Sequence, residues 1–302
     1  MNTNYMLIAT NFKIWQPSDD VWKQCMMLLN DKVEQQRIEQ FKRPAPGGVW
    51  LTGPANDSAK SSLMGRLLML LAAQRLIKLP LNQIKFQRDD KGKPYLVATT
   101  GTGTSTCYQF NVSHDGDYTV IYARNDCLTS QSIGVDVMKN EVPRGQPVEE
   151  FFESLDSSFT KNEWQRIGDN KVPPATRVGR FFTHWCLKES YIKAVGIGLG
   201  FNLQSIQFQV DDTQTQSQSQ SPRVQYNMLD DHGNVMDNYS LDSQCTFKLI
   251  PNSIPQHIIA ICHLDQLPDD AKDDQSLQLD QVQPIQLTAE SVINELSSLM
   301  TL

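Results

Sequence analysis

Three short polar segments interrupt apolar surroundings, and each carries residue types able to handle a charged group. The first is Asn111-Val112-Ser113-His114-Asp115-Gly116-Asp117-Tyr118. It reads as a strand that ends in polar residues, turns through Gly116 and returns as a strand. His114 at that turn can bond a phosphate or move a proton near neutral pH, or it can simply satisfy the turn backbone. The second is Ile133-Gly134-Val135-Asp136-Val137-Met138. A carboxylate inside an apolar strand is costly to bury unless a metal or fixed cation compensates it; an Asp capping a neighbouring turn is the alternative. The third runs from Trp185 to Gly196 and contains Lys188-Glu189-Ser190 and Lys193. Glu189 and Lys193 are four apart and share one helix face. A surface ion pair would look the same, but Trp185, Leu187, Tyr191, Ile192 and Val195 wrap much of this helix in apolar surface. Gly196, Gly198 and Gly200 follow the helix rather than open one, so they make no phosphate loop. Gly101-Thr102-Gly103 reads as a turn.

The elements that must position these segments follow from periodicity. Tyr5 to Phe12 reads as a strand, and Val21 to Phe41 as a helix with Trp22, Met26, Leu29, Val33 and Ile38 at helical spacing. A second helix runs from Asp57, its N-cap, to Leu79, where Pro80 stops it. Ile84 to Phe86 and Tyr95 to Val97 are strands flanking the turn residues Asp89 to Pro94. Strands follow at Cys107 to Val112, Tyr118 to Ala123 and Ser132 to Val137. The second half repeats the logic. Helices cover Val148 to Leu155, Lys161 to Ile167 and Arg177 to Val195. Strands come next at Ile206 to Val210, Val224 to Met228, Thr246 to Ile250 and His257 to Cys262. Helices leading into strands, twice, predict an α+β protein of two similar halves, 1–127 and 128–264, with a hinge near Asp126 to Gln131. Residues 211–222 form a polar low-complexity insert, and 265–302 an acidic, Gln-rich tail. In that tail Val292, Ile293, Leu296 and Met300 line one face of a terminal helix that docks, frays or binds a partner.

The net charge of −7, from 27 basic and 34 acidic residues, argues against nucleic acid, which demands clustered cations. No secretory signal is expected at the N-terminus, and the apolar run Leu67 to Ala73 is too short to span a bilayer. The six cysteines show no paired spacing and are expected as free thiols in a reducing cytosol.

In order and composition the three segments resemble the Sfp-type 4′-phosphopantetheinyl transferases. The marks of that family are an N-x-S-H strand end, a G-[IV]-D strand and a W-x-x-K-E-[SA]-x-x-K helix. Its eukaryotic subgroup is also similar through Arg37-Ile38-Glu39-Gln40-Phe41, Gly65-Arg66-Leu67, Gln87-Arg88 with Lys91-Gly92-Lys93-Pro94, and Phe159-Thr160 with Glu163-Trp164. The likeness covers about Asn11 to His263. It implies two α+β halves related by a pseudo-twofold, with coenzyme A bound in the cleft between them. It implies Mg²⁺ as cofactor, with Asp136 and Glu189 as its ligands. Coenzyme A contacts are implied at Arg37, at Arg88, Lys91, Gly92 and Lys93, and at Asn111, Val112, Ser113 and His114. Lys193 would sit by the pyrophosphate, with Lys188 adding charge toward the leaving group, and Glu189 would accept the proton of the attacking serine. Acyl carrier domains of fatty acid synthase and aminoadipate reductase-like enzymes of lysine metabolism are the implied partners, served by a cytosolic monomer. Many members carry a third carboxylate two residues after the Asp. Met138 stands there in this chain, and a thioether is a poor ligand for hard magnesium. The competing readings are a binder of coenzyme A or carrier domains that no longer transfers, and another magnesium-dependent phosphotransferase.

Overall fold

A computed structural model describes residues 4–41, 48, 54–97, 108–126, 132–211, 222–236, 244–265, 279 and 281–300. The hinge at 127–131, the turn at 101–103, Cys107, Cys127, most of the 211–222 insert, and positions 266–278, 280, 301 and 302 of the tail lie outside the described residues. In chain order the elements begin with β1 (Tyr5–Asn11), α1 (Asp19–Leu28), α2 (Lys32–Glu39), α3 (Pro54–Ile77), β2 (Phe86–Arg88), β3 (Pro94–Leu96), β4 (Gln109–Asp115) and β5 (Tyr118–Arg124). They continue with β6 (Ser132–Lys139), α4 (Val148–Glu153), α5 (Lys161–Ile167), α6 (Pro174–Val195), β7 (Ile206–Val210) and β8 (Val224–Met228). The last are β9 (Gln244–Ile254), β10 (His257–Asp265), β11 (Pro284–Leu287) and α7 (Ala289–Met300). The class is mixed α+β, as expected. Two compact units emerge: Met1–Thr129 with Val282–Leu302, and Ser130–Gln281. Among the described residues no helix is long and apolar enough to cross a membrane.

In the first unit four strands pair in the order β11-β1-β5-β4. All pairings are antiparallel except β1 with β11. Helix α3 is buried nearly all round, with Leu63, Met64, Leu67, Leu68, Leu70 and Leu71 in the core, as its apolar run Leu67 to Ala73 demands. Gly65 lets it approach the sheet: a Cβ there would stand 3.3 Å from Val112 Cγ1. Helix α7 adds Val292, Ile293 and Leu296 to the same core. A two-point Arg75–Glu295 pair at 2.8 and 2.6 Å fixes it to α3. The segment read as a tail thus supplies a strand and a helix to this unit.

Three expectations are corrected here. Val21 to Phe41 is two helices, not one. Asn30 is left-handed at φ 45°, and Asp31 then caps α2 by accepting from Val33 N and Glu34 N. Helix α3 starts at Pro54, a favoured first-turn residue, ahead of the expected Asp57 cap. Strand β4 runs on to Asp115, because its ladder with β5 continues to the Asp115–Tyr118 pair before turning at Gly116, φ 56°. Asn111 to His114 therefore lie inside a strand rather than at its end.

In the second unit the sheet is β6-β10-β9, antiparallel throughout, with a separate β7-β8 hairpin. The 22-residue α6 packs on β6 and β10. Around its N-terminal half Phe151, Phe152, Phe159, Trp164, Phe181 and Trp185 stack and interlock, with ring centroids about 5–6 Å apart. Four described cysteines, Cys25, Cys186, Cys245 and Cys262, are free thiols.

Candidate active site

The second unit brings Asp136, Glu189 and Lys193 together. Asp136 lies mid-strand in β6, opposite Ala260 of β10, and only 3% exposed. Glu189 and Lys193 lie in the last two turns of α6. Gly134 is what allows α6 to lie so close to β6. A Cβ there would collide with the Ser190 carbonyl oxygen and the Ala194 nitrogen. The Lys193 ammonium donates to Asp136 Oδ1 at 2.6 Å. The fixed cation that a buried carboxylate needs is therefore present within the chain itself.

Burial pushes the Glu189 carboxyl above its ordinary range, the Asp136 charge pushes it further, and Lys193 only partly offsets both. With both carboxylates ionised, Asp136 paired to Lys193 and Glu189 within their field leave a net charge of −1 in a half-buried place. Two such carboxylates are the hard oxygen donors that a divalent cation such as Mg²⁺ would take. Met138, two residues along β6 and so on the same face as Asp136, offers no hard donor. Among the described residues no three or more His, Cys, Asp or Glu converge. Cys186 lies under this site, fully buried. Burial and the neighbouring Asp136 raise its thiol pKa well above the ordinary value, so it stays protonated and inert.

Lys188 departs from its expected role. Its ammonium is 1% exposed and donates to Leu203 O at 2.6 Å and Ile206 O at 2.7 Å, and pairs with Glu163 Oε2 at 2.9 Å. All three of its protons are used. Glu163 is itself held by the Thr160 capping box and by Phe208 N. Lys188 thus ties α6 to α5 and β7 and has nothing left for a leaving group.

The first unit carries the other expected residues. Arg37 lies in the last turn of α2 and Arg88 ends β2. Both bond Glu34, at 3.0 Å for Arg37 and at 3.1 and 3.2 Å for Arg88. Lys91, Gly92 and Lys93 form the turn into β3. Asp89 Oδ1 accepts from the Lys91 and Lys93 amides, and Gly92 takes φ 83°. Arg88 Nη1 closes the same turn by donating to Gly92 O at 2.8 Å. Phe86 packs edge-on against Phe110, joining this hairpin to the strand that carries Asn111, Val112, Ser113 and His114. Ser113 is buried and His114 exposed, as alternation along β4 requires. Sequence reasoning missed Glu34. Its signal was its place three residues before Arg37 on one helix face.

Comparison with known proteins gives the family. The family profile "4′-phosphopantetheinyl transferase, N-terminal" matches residues 13–126, and "4′-phosphopantetheinyl transferase superfamily" matches 132–262. The L-aminoadipate-semialdehyde dehydrogenase-phosphopantetheinyl transferase of Xenopus laevis is 39% identical over 187 residues, covering 61% of this chain and 55% of the relative. The Homo sapiens protein of that name is 35% identical over 185 residues, covering 61% and 54%. A phosphopantetheinyl transferase of Thraustochytrium sp. is 39% identical over 142 residues, covering 46% of each. The chain thus matches about half the length of these curated relatives. Because two profiles of this one family together span 13–126 and 132–262, the chain belongs to the 4′-phosphopantetheinyl transferase superfamily.

Proposed function

We propose that this protein transfers the 4′-phosphopantetheine group of coenzyme A to a serine hydroxyl of an acyl carrier domain and releases 3′,5′-ADP. The observation that carries the reading is the Asp136–Lys193 pair on β6 and α6 with the Glu189 carboxyl in its field, inside the span matched by the superfamily. The proposal includes a pseudo-twofold relation of the units, and a coenzyme A site served by residues of both, as the sequence resemblance implies.

The serine oxygen forms a bond to the pantetheine-side phosphorus, and the bond from that phosphorus to the bridging oxygen of 3′,5′-ADP breaks. Charge accumulates on oxygens that already carry it, so cations must be fixed in place beforehand. Lys193 is the ammonium the chain supplies beside the two carboxylates. Arg37, Arg88, Lys91 and Lys93 hold the remaining phosphate charge, with Asn111 to His114 along the ligand. Glu189 takes the serine proton. Its raised pKa suits a base that must work near neutral pH. Asp136 and Glu189 would hold Mg²⁺, which supplies Lewis-acid polarisation of the pyrophosphate when bound. Cytosolic work as a monomer on carrier domains of fatty acid synthase and of aminoadipate reductase-like enzymes belongs to the same proposal.

Intact-mass spectrometry tests it. A purified apo acyl carrier protein, incubated with this protein, coenzyme A and magnesium, should gain one phosphopantetheine mass. EDTA should abolish the gain. Coenzyme A binding without any gain on several unrelated carriers would replace the transferase with a non-catalytic binder.

A further inference from the structure

Three arginines of the first unit, Arg37, Arg66 and Arg88, share one counter-ion. Glu34 accepts from Arg37 of α2 at 3.0 Å, from Arg66 of α3 at 2.7 Å, and from two nitrogens of Arg88 at the end of β2. Three guanidinium groups from three elements thus converge on one carboxylate, whose side chain is 17% exposed. Burial works against the Glu34 charge. The bonds from Arg88 and Arg66 outweigh it and hold the carboxyl below its ordinary range. The cluster keeps a net charge of +2. Without the carboxylate, three like charges this close would drive their flexible side chains apart. With it, Arg88 is gripped in two-point geometry and keeps Nη1 for Gly92 O, which closes the turn bearing Lys91 and Lys93. Beside the cluster lies a cavity of about 270 Å³, lined by Glu34, Arg66 and Arg88 against Met69, Ile84 and Phe86.

We propose that Glu34 is a positioning residue, which sets the arginines in place for a phosphate group of coenzyme A. The inference rests on the reading of Arg37 and Arg88 as coenzyme A contacts. The net charge argues for an organiser rather than a competitor, because the cluster remains cationic with Glu34 in place.

The test uses the full chain and reads Kd for coenzyme A by calorimetry, KM and kcat with an apo carrier protein, and the thermal midpoint. Glu34→Gln should raise Kd and KM about tenfold, the worth of one charge-assisted bond, with kcat within about twofold. Glu34→Asp, which keeps the charge but shortens the reach, should raise them about threefold. In an Arg88→Ala background the effect of Glu34→Gln should fall below about twofold, since the two act as a unit. A folded Glu34→Gln protein with unchanged Kd overturns the role, as does one that binds more tightly or one whose loss persists undiminished without Arg88. Should Glu34→Gln not fold, an unchanged Kd in Glu34→Asp overturns it equally. A wild-type protein that binds no coenzyme A overturns both this inference and the reading beneath it. Normal wild-type binding with indifferent variants overturns the role of Glu34 alone.

Discussion

Glu189 sits where its own negative charge is disfavoured. Burial and the Asp136 carboxylate raise its pKa, so the folded chain holds that proton more tightly than the unfolded chain does. By linkage the proton contributes stability that is fully present below the ordinary Glu pKa and is lost as pH rises through the raised value. Near neutral pH the wild-type protein therefore carries a destabilising charge at its candidate centre, a common cost of a working site. Glu189→Gln removes that charge. In EDTA its thermal midpoint should exceed that of wild type near neutral pH, and the gap should close toward about pH 4. The same substitution should slow single-turnover transfer by at least about 10²-fold, the lower end of what a general base contributes. A midpoint gap independent of pH would remove the electrostatic account, and an unchanged rate would remove Glu189 from the chemistry. At this scale the sequence was informative where one element decided the matter. Asp136 was visible as an acid in an apolar strand, and Glu189 with Lys193 as a pair on one helix face. It was uninformative where partners came from elsewhere. Lys188 differs from Lys193 only through Glu163 and two carbonyls at Leu203 and Ile206. The tie of Arg66 to Glu34 needed a second helix.

The approach of α6 to β6 is the element-level condition for the site. Gly134 has no Cβ, and the space a Cβ would need is taken by the Ser190 carbonyl oxygen and the Ala194 nitrogen. Both obstacles are helix backbone, which cannot swing aside as a side chain can. Gly134→Ala should therefore push the C-terminal turns of α6 off the strand. Overpacking of this kind costs about 1–3 kcal/mol, sometimes more, and here it falls where Lys193 meets Asp136. The expected result is a lower thermal midpoint together with a raised magnesium requirement for transfer. Loss of stability with an unchanged magnesium requirement would show that the crossing supports the fold but not the pairing. Strand and helix existence was legible from periodicity, and Lys161–Ile167, Ile206–Val210 and Val224–Met228 fall on the expected residues. The break at Asn30-Asp31 was not, because hydrophobic spacing ran on across it while a local cap chose otherwise. Nor was the length of β4, which its partner strand sets.

For the whole molecule, the chain leaves the first unit at β5, builds the second, and returns to finish the first. The amphipathic spacing of Val292, Ile293 and Leu296 announced a helix, but nothing local announced its address, some 220 residues after its partner Arg75. Deleting 282–302 would remove β11 from the edge of β1 and uncover the face of α3 that α7 shields. Each fully buried aliphatic side chain is worth roughly 1.5–3 kcal/mol. Losing three of them, with the Arg75–Glu295 pair, approaches the roughly 5–15 kcal/mol that holds a domain folded. Hydrogen exchange on the truncated chain should therefore show lost protection in β1 and α3 while α6 and β10 keep theirs, since the second unit has its own core. Transfer should fail in step with the first unit, because the arginine cluster depends on α3 for Arg66. If β1 and α3 stay fully protected in the truncated chain, α7 is an appendage to a core already complete without it.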